Sequence, residues 1–117
     1  MVIVKSAARK KSLAIDSAQI AKALADPVRA RILKLIAACG RKSGRKNCDL
    51  PVVAKGVCVC DITDSLGMLQ SRVSYHLKEL KRAGLVQEET HGKWSFYSIR
   101  PATLRTYLTS LKREFGL

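Results

Sequence analysis

The chain has to break at Gly67, and what lies on either side of that break limits the fold more than any other feature. Before it, Ile62 and Leu66 fall four residues apart on one helical face, and Gly67 ends that short helix. After the turn Gly67-Met68-Leu69-Gln70, Ser71 is placed to cap a second helix, whose buried face is Val73, Leu77 and Leu80 and whose C-cap is Gly84. Two short helices joined by a tight, glycine-containing turn read as a helix-turn-helix. Residues 85–90 and 93–99 then read as two strands around a tight turn at His91-Gly92, the second of them aromatic and β-branched at Trp94, Phe96, Tyr97 and Ile99. A hairpin directly after the second helix is the wing of a winged helix; the Trp94 ring reads as core packing.

Upstream, Asp16 or Ser17 can cap a short helix carrying Ile20 and Leu24. Asp26-Pro27 restarts the chain as N-cap and first helical residue, and Val28, Ile32, Leu35 and Ile36 form the apolar stripe of a second helix closed by Gly40. Residues 1–14 are basic, lack a stripe and read as a disordered tail. Residues 40–56 have no period and read as a flexible basic loop, since unstructured connections of that length are uncommon inside a domain. Pro101 opens a last helix with Leu104, Leu108, Leu111 and Phe115 on one face, a stripe that calls for a partner. The expectation is one mostly α domain over residues 15–117, with elements in the order α-α-α-α-β-β-α, the loop inserted at 40–56, and a homodimer formed through the first and last helices.

Charge narrows the partner. Twenty-two Lys and Arg stand against nine Asp and Glu, for a net +13, and 13 of the basic residues but only three of the acidic ones precede residue 57. That excess, in residues 5–11 and at Arg41, Lys42, Arg45 and Lys46, attracts polyanions without reading sequence. A reading face is nevertheless present. With Val73 pointing inward, Ser71, Tyr75, Lys78 and Arg82 lie within about 40° of the opposite pole, and Arg72 lies to the side. A hydroxyl, a phenol and two cations suit the edges and phosphates of a major groove, and the wing tip at His91, Gly92 and Lys93 can reach a phosphate or the minor groove. Double-stranded DNA with palindromic half-sites matches a two-fold dimer. The plainer alternative is a solvated basic surface, or an RNA or anionic membrane partner. No apolar run is long enough to span a membrane, and Met-Val-Ile-Val-Lys is too short for a signal peptide, so the expected location is cytoplasmic.

Four cysteines in such a chain point to metal or redox chemistry rather than to a disulfide framework, and Cys58 and Cys60 are separated by one residue. The plain alternative is two small buried side chains. An enzyme is not indicated: His76 and His91 have no evident nucleophile partner, and no glycine loop cradles a phosphate.

These segments together resemble the ArsR/SmtB metalloregulators. Ala23-Leu24-Ala25-Asp26-Pro27-Val28-Arg29-Ala30-Arg31-Ile32-Leu33 is similar to the family's second-helix signature, and Val57-Cys58-Val59-Cys60-Asp61-Ile62 to the metal-box core of its arsenic and cadmium sensors. Gln70-Ser71-Arg72-Val73-Ser74-Tyr75-His76-Leu77-Lys78 resembles the recognition helix, adding Gln70 and Ser74 to the DNA-facing candidates, and Gly92-Lys93-Trp94-Ser95-Phe96-Tyr97-Ser98-Ile99 resembles the wing. The resemblance implies a homodimeric repressor that holds operator DNA when empty and lets go when an ion binds. It also implies the arsenite and antimonite branch, with As(III) or Sb(III) as inducer. The last helix has no His and one acid, Glu114, which is unlike the zinc-sensing type, and no cysteine precedes Cys39, which is unlike the cadmium and lead type. Two departures stand out. Where the family's box has a third cysteine, this chain has Thr63, and the basic loop is unusual. Cys48 in that loop is the candidate third thiolate, ahead of Cys39; an exogenous thiol is the other.

Residues two apart in a regular helix point about 200° apart, so ion binding by Cys58 and Cys60 is expected to unwind the first turn of their helix. A thiol-redox trigger, a cadmium- or lead-responsive repressor and a constitutive nucleic-acid-binding protein are the alternative functions. If the tail and loop touch phosphates, deleting them lowers the log–log salt dependence of DNA binding by about 0.9 for each phosphate no longer neutralised. An unchanged slope in a salt titration excludes such binding by the tail and loop.

Overall fold

The computed structural model describes residues 17–41 and 56–117. The expected tail, nearly all of the expected loop, Cys48 and the Cys39 side chain lie outside the described residues. Within them the chain runs α1 (Ser17–Ala25), α2 (Pro27–Arg41), β1 (Val57–Cys58), α3 (Val59–Leu66), α4 (Gln70–Arg82), β2 (Val86–His91), β3 (Trp94–Ile99) and α5 (Pro101–Phe115). This is a winged helix-turn-helix, in the order the sequence indicated, with one strand more.

Local chemistry accounts for most of the boundaries. The Asp26 carboxylate accepts from the Val28 and Arg29 N–H groups at 2.8 and 3.3 Å and starts α2 just after α1 has ended. Burial pushes the Asp26 carboxyl up, but those two donors, with His76 and Arg29 nearby, outweigh it and hold it below the usual carboxylate range. Gly67 caps α3 in the left-handed conformation. Helix α4 begins two residues earlier than expected: Leu69 is its N-cap without a side-chain bond, which puts Ser71 inside the first turn rather than at the cap. The hairpin turn is also displaced by one residue. His91 pairs with Trp94, leaving Gly92-Lys93 as a two-residue turn with positive φ at Gly92 only, the pattern of a type II′ turn.

Ile20, Ile32, Ile36, Ile62, Val73, Leu77, Leu80, Leu85 and Val86 are almost wholly buried and bring α1 to α4 and the base of the hairpin onto one core. Helix α4 is also fixed by a polar contact. Arg29 of α2 donates from Nε to Nδ1 of the buried His76 at 3.2 Å, and its guanidinium lies 5.9 Å from the Tyr75 ring centre. Burial, with Arg29 and Arg72 adding to it against Asp26 and Glu79, pushes the His76 imidazole down, in keeping with a ring that accepts a bond. On α5 the inner positions are Thr103 and Ser110, while Leu108 and Phe115 from the expected stripe are 55% and 69% exposed. Leu104 and Tyr107 of α5 pack against the core, and Leu108 and Phe115 face outward.

The strand that sequence periodicity missed is the two-residue β1, antiparallel to β3 with Val57 opposite Tyr97 and Cys58 opposite Phe96, giving a sheet in the order β1-β3-β2. Gly56 makes this pairing possible. Its φ is +96°, and a Cβ there would lie 2.4 Å from the Tyr97 carbonyl oxygen. Gly56→Ala is therefore expected to destabilise the fold by about 1–3 kcal/mol, read as a lower urea midpoint; a midpoint within error of the parent chain contradicts this account of β1.

Candidate functional site

The Cys58 backbone is extended, with φ −68° and ψ 145°, so it belongs to β1 and serves as N-cap of α3; Cys60 lies in the first helical turn. The expectation that both cysteines sit in one helix is thus corrected. A change from strand to helix between the two residues cancels the 200° divergence of a continuous helix, and the sulfurs converge to 2.6 Å. Both are free thiols. The Cys58 sulfur also accepts from the Cys60 N–H at 3.4 Å, so the thiol itself satisfies one of the open donors at the helix start. Unwinding is therefore not needed to bring the two sulfurs together.

Cys58 is buried against Phe96, with Cys60 and Trp94 packed on the same cluster, so Trp94 does pack, on the cysteine side of the sheet. Burial, the hydrogen bond and charge from Cys58, and the Asp61 carboxylate push the Cys60 thiol up to about 11, against a smaller opposing backbone bond. At neutral pH the thiol stays protonated. Since the thiolate is the form that peroxide oxidises, this counts against oxidation starting at Cys60. Thr63, at the place of the missing third cysteine, donates its hydroxyl to the Val59 carbonyl at 2.9 Å. Among the described residues no three His, Cys, Asp or Glu side chains are grouped to hold a metal.

The two thiols open into a cleft of about 350 Å³. The cleft is also lined by Gln70, Ser74 and Lys78 of α4 and by Lys93, Trp94 and Ser95 of the wing. Of the predicted DNA-facing residues, Gln70, Ser71, Arg72, Tyr75, Lys78, Arg82 and Lys93 are exposed, and Ser74 and His91 are half-buried. Two of them are internally engaged. Arg82 pairs with Glu79 at 2.8 Å, and His91 Nε2 lies 2.7 Å from the Glu89 carboxylate. The Lys93 ammonium sits 5.2 Å from the centre of the Trp94 ring.

Sequence reasoning missed Glu88. From the middle of β2 it accepts from Lys81 of α4 and from Ser95 of β3, both at 2.9 Å, and it bonds the Tyr97 hydroxyl. The Lys81 bond leads in holding its carboxyl below the usual range, while burial, with Glu88 beside it, lifts the Tyr97 phenol to about 12. Glu88 thereby ties the second helix of the motif to both strands of the wing. Its only sequence signal is an acid flanked by polar residues on a strand, which an ordinary solvated position shares.

Residues 56–88, which hold the cysteine pair and all of α4, match the bacterial regulatory protein arsR family. An uncharacterised HTH-type transcriptional regulator of Methanocaldococcus jannaschii is 40% identical over 83 residues, 71% of this chain and 76% of that protein. The chain belongs to the ArsR family. It is accordingly a transcriptional regulator and not an enzyme. An arsenic resistance transcriptional regulator of Pseudomonas putida is 34% identical over 80 residues, 68% of this chain but only 51% of that protein. Among solved structures, the homodimeric winged helix-turn-helix DNA-binding domain of a Mycobacterium bovis protein superposes with a TM-score of 0.58 at 27% identity, covering 92% of this chain and 88% of that one. No helix among the described residues is long and apolar enough to cross a membrane.

The protonated state of Cys60 has a direct readout. In a Cys39→Ser/Cys48→Ser background, iodoacetamide is expected to alkylate Cys60 about two orders of magnitude more slowly at pH 7 than a free thiol, with the rate rising about tenfold per pH unit through pH 10. A rate that levels off by pH 9, followed by peptide mass spectrometry, contradicts this.

Proposed function

We propose that this ArsR-family regulator is a metalloid-responsive repressor. It binds palindromic operator DNA as a homodimer, paired through α1 and α5, while the Cys58 and Cys60 thiols are empty, and it releases DNA when As(III) or Sb(III) is bound there. The observation that carries this reading is the shared cleft: the two converging thiols face Ser74 and Lys78 of α4 and Lys93 of the wing. A ligand held by the thiols lies against the same side chains that would meet DNA, so occupancy and DNA binding compete for one space. The similarity to an arsenic resistance regulator supports the choice of ligand, and the homodimeric relative supports the assembly.

Two chemical features favour a metalloid over a dication. Soft thiols prefer soft centres. Arsenous acid also brings its own hydroxides, so two thiols condense with it by losing two waters, whereas a dication has to displace the proton that Cys60 holds tightly. Gln70, Ser71, Arg72, Ser74 and Tyr75 would read base edges or the adjacent backbone; Lys78, Arg82, His91 and Lys93 would neutralise phosphates. The exposed Leu108 and Phe115 of α5 would supply the dimer's apolar contact.

The test is fluorescence anisotropy of the reduced protein on its own promoter DNA, titrated with arsenite, antimonite, cadmium and zinc. Arsenite or antimonite is expected to release DNA from the parent chain, and Cys58→Ser/Cys60→Ser is expected to stay bound with affinity within about threefold of the parent chain. Specific DNA binding that no ion disturbs rejects the metalloid trigger.

A further inference from the structure

We infer that the third coordination position at the Cys58–Cys60 pair is taken by a small external thiol bearing a carboxylate, held by Lys78 and Lys93. The inference rests on the metalloid reading above and names the co-ligand at that site.

A trivalent arsenic centre makes three bonds, and the described residues bring two sulfurs to it. Thr63 is turned back onto its helix. On the open side, the cleft has the dimensions and chemistry to seat a small molecule. Its volume is about 350 Å³, its walls carry the Trp94 ring and the Gln70 and Ser74 polar groups, and Lys78 of α4 and Lys93 of the wing both line it. The acid in this wall, Glu88, is already matched by Lys81, Ser95 and Tyr97. Neither Lys78 nor Lys93 forms an ion pair with a carboxylate among the described residues. The cleft therefore offers two cations next to two thiols, a pattern that suits a molecule with a thiol at one end and a carboxylate at the other. The condensation balances without redox: one arsenous acid, two protein thiols and one external thiol give three As–S bonds and three waters. Bound in this way, the carboxylate neutralises the lysines proposed to meet phosphate, which couples ligand binding to loss of DNA.

The experiment uses the full-length reduced protein without DNA, kept reduced by a phosphine, with arsenite and one of three probes: 3-mercaptopropionate, 2-mercaptoethanol or cysteamine. Native mass spectrometry reads the protein–arsenic–thiol adduct, and ultraviolet sulfur-to-arsenic absorption reads the number of As–S bonds. A 1:1:1 adduct is expected with mercaptopropionate at about fivefold to tenfold lower concentration than with mercaptoethanol, as two weak ion pairs allow, and cysteamine is expected to be poorest. Raising the salt should narrow the gap. In Lys78→Gln/Lys93→Gln the ratio between the two thiols should fall close to one, a comparison internal to each protein. Equal preference in the parent chain, or a ratio unchanged in the double variant, overturns the inference. So does a three-sulfur absorption that needs no added thiol and disappears in Cys48→Ser. Those results leave the metalloid reading standing; failure of the folded parent chain to retain arsenic with any thiol removes both.

Discussion

The pairing of two residues, Val57 and Cys58, with the middle of β3 is the constraint on which the site depends. It fixes the Cys58 backbone in an extended state, forces the turn into α3 immediately afterwards, and sets the sulfur against the sheet that becomes the wing. Without that short pairing, the cysteine would join a helix or a loop, and its sulfur would diverge from that of Cys60. Gly56 is the residue that tolerates the close approach. Helix α3 leads through Gly67 into α4, and β3 is a strand of the wing, so the thiol pair sits where α4 and the wing are anchored.

Two polar links keep those elements in register. Arg29 and His76 join α2 to α4, and Glu88 joins the end of α4 to both wing strands. Neither link is worth much as an isolated surface interaction, and Lys81 is half-exposed. Their value is positional. The apolar core determines which face of α4 is buried, while these directional bonds determine how far the helix can roll relative to the wing.

The architecture was legible because its signals are local and periodic. Val73, Leu77 and Leu80 mark one face, Asp26-Pro27 marks a helix start, and Gly67 marks a break, and each behaves as its own chemistry requires. The errors have equally specific causes. A two-residue strand has no period to detect, and its partner lies some forty residues away. Ser71 has the chemistry of an N-cap, yet the helix starts ahead of it because the Leu69 carbonyl can accept the first helical bonds without a side chain's help. Arg29 and His76 are 47 residues apart, so nothing in either neighbourhood announces the bond. The apolar stripe of α5 was visible, and Leu104 at its start packs on the core while Leu108 and Phe115 face outward, but Thr103 and Ser110 as inner positions were not, since small polar residues give no hydrophobic signal.

The cysteine pair illustrates the same limit from the other side. Read as a helix, a Cys-x-Cys spacing is the wrong spacing for a shared ligand, because the side chains diverge by about 200°. Read as a strand, it is the right one, because alternate side chains share a face. The chain uses neither alone: it changes from strand to helix between the two cysteines, so the divergence expected of a continuous helix does not arise. The consequence is mechanical. Cys58 is tied to β3 and Cys60 to the first turn of α3, so a ligand bridging the sulfurs braces a junction that is already formed. Binding there does not call for melting of the helix, because the sulfurs already converge. On the proposed reading the site signals through the cleft, where a ligand on the sulfurs would meet Ser74, Lys78 and Lys93. Sensing by occupancy of the reading surface asks for no long-range transmission, and it places selectivity in the residues that line that surface as well as in the thiols.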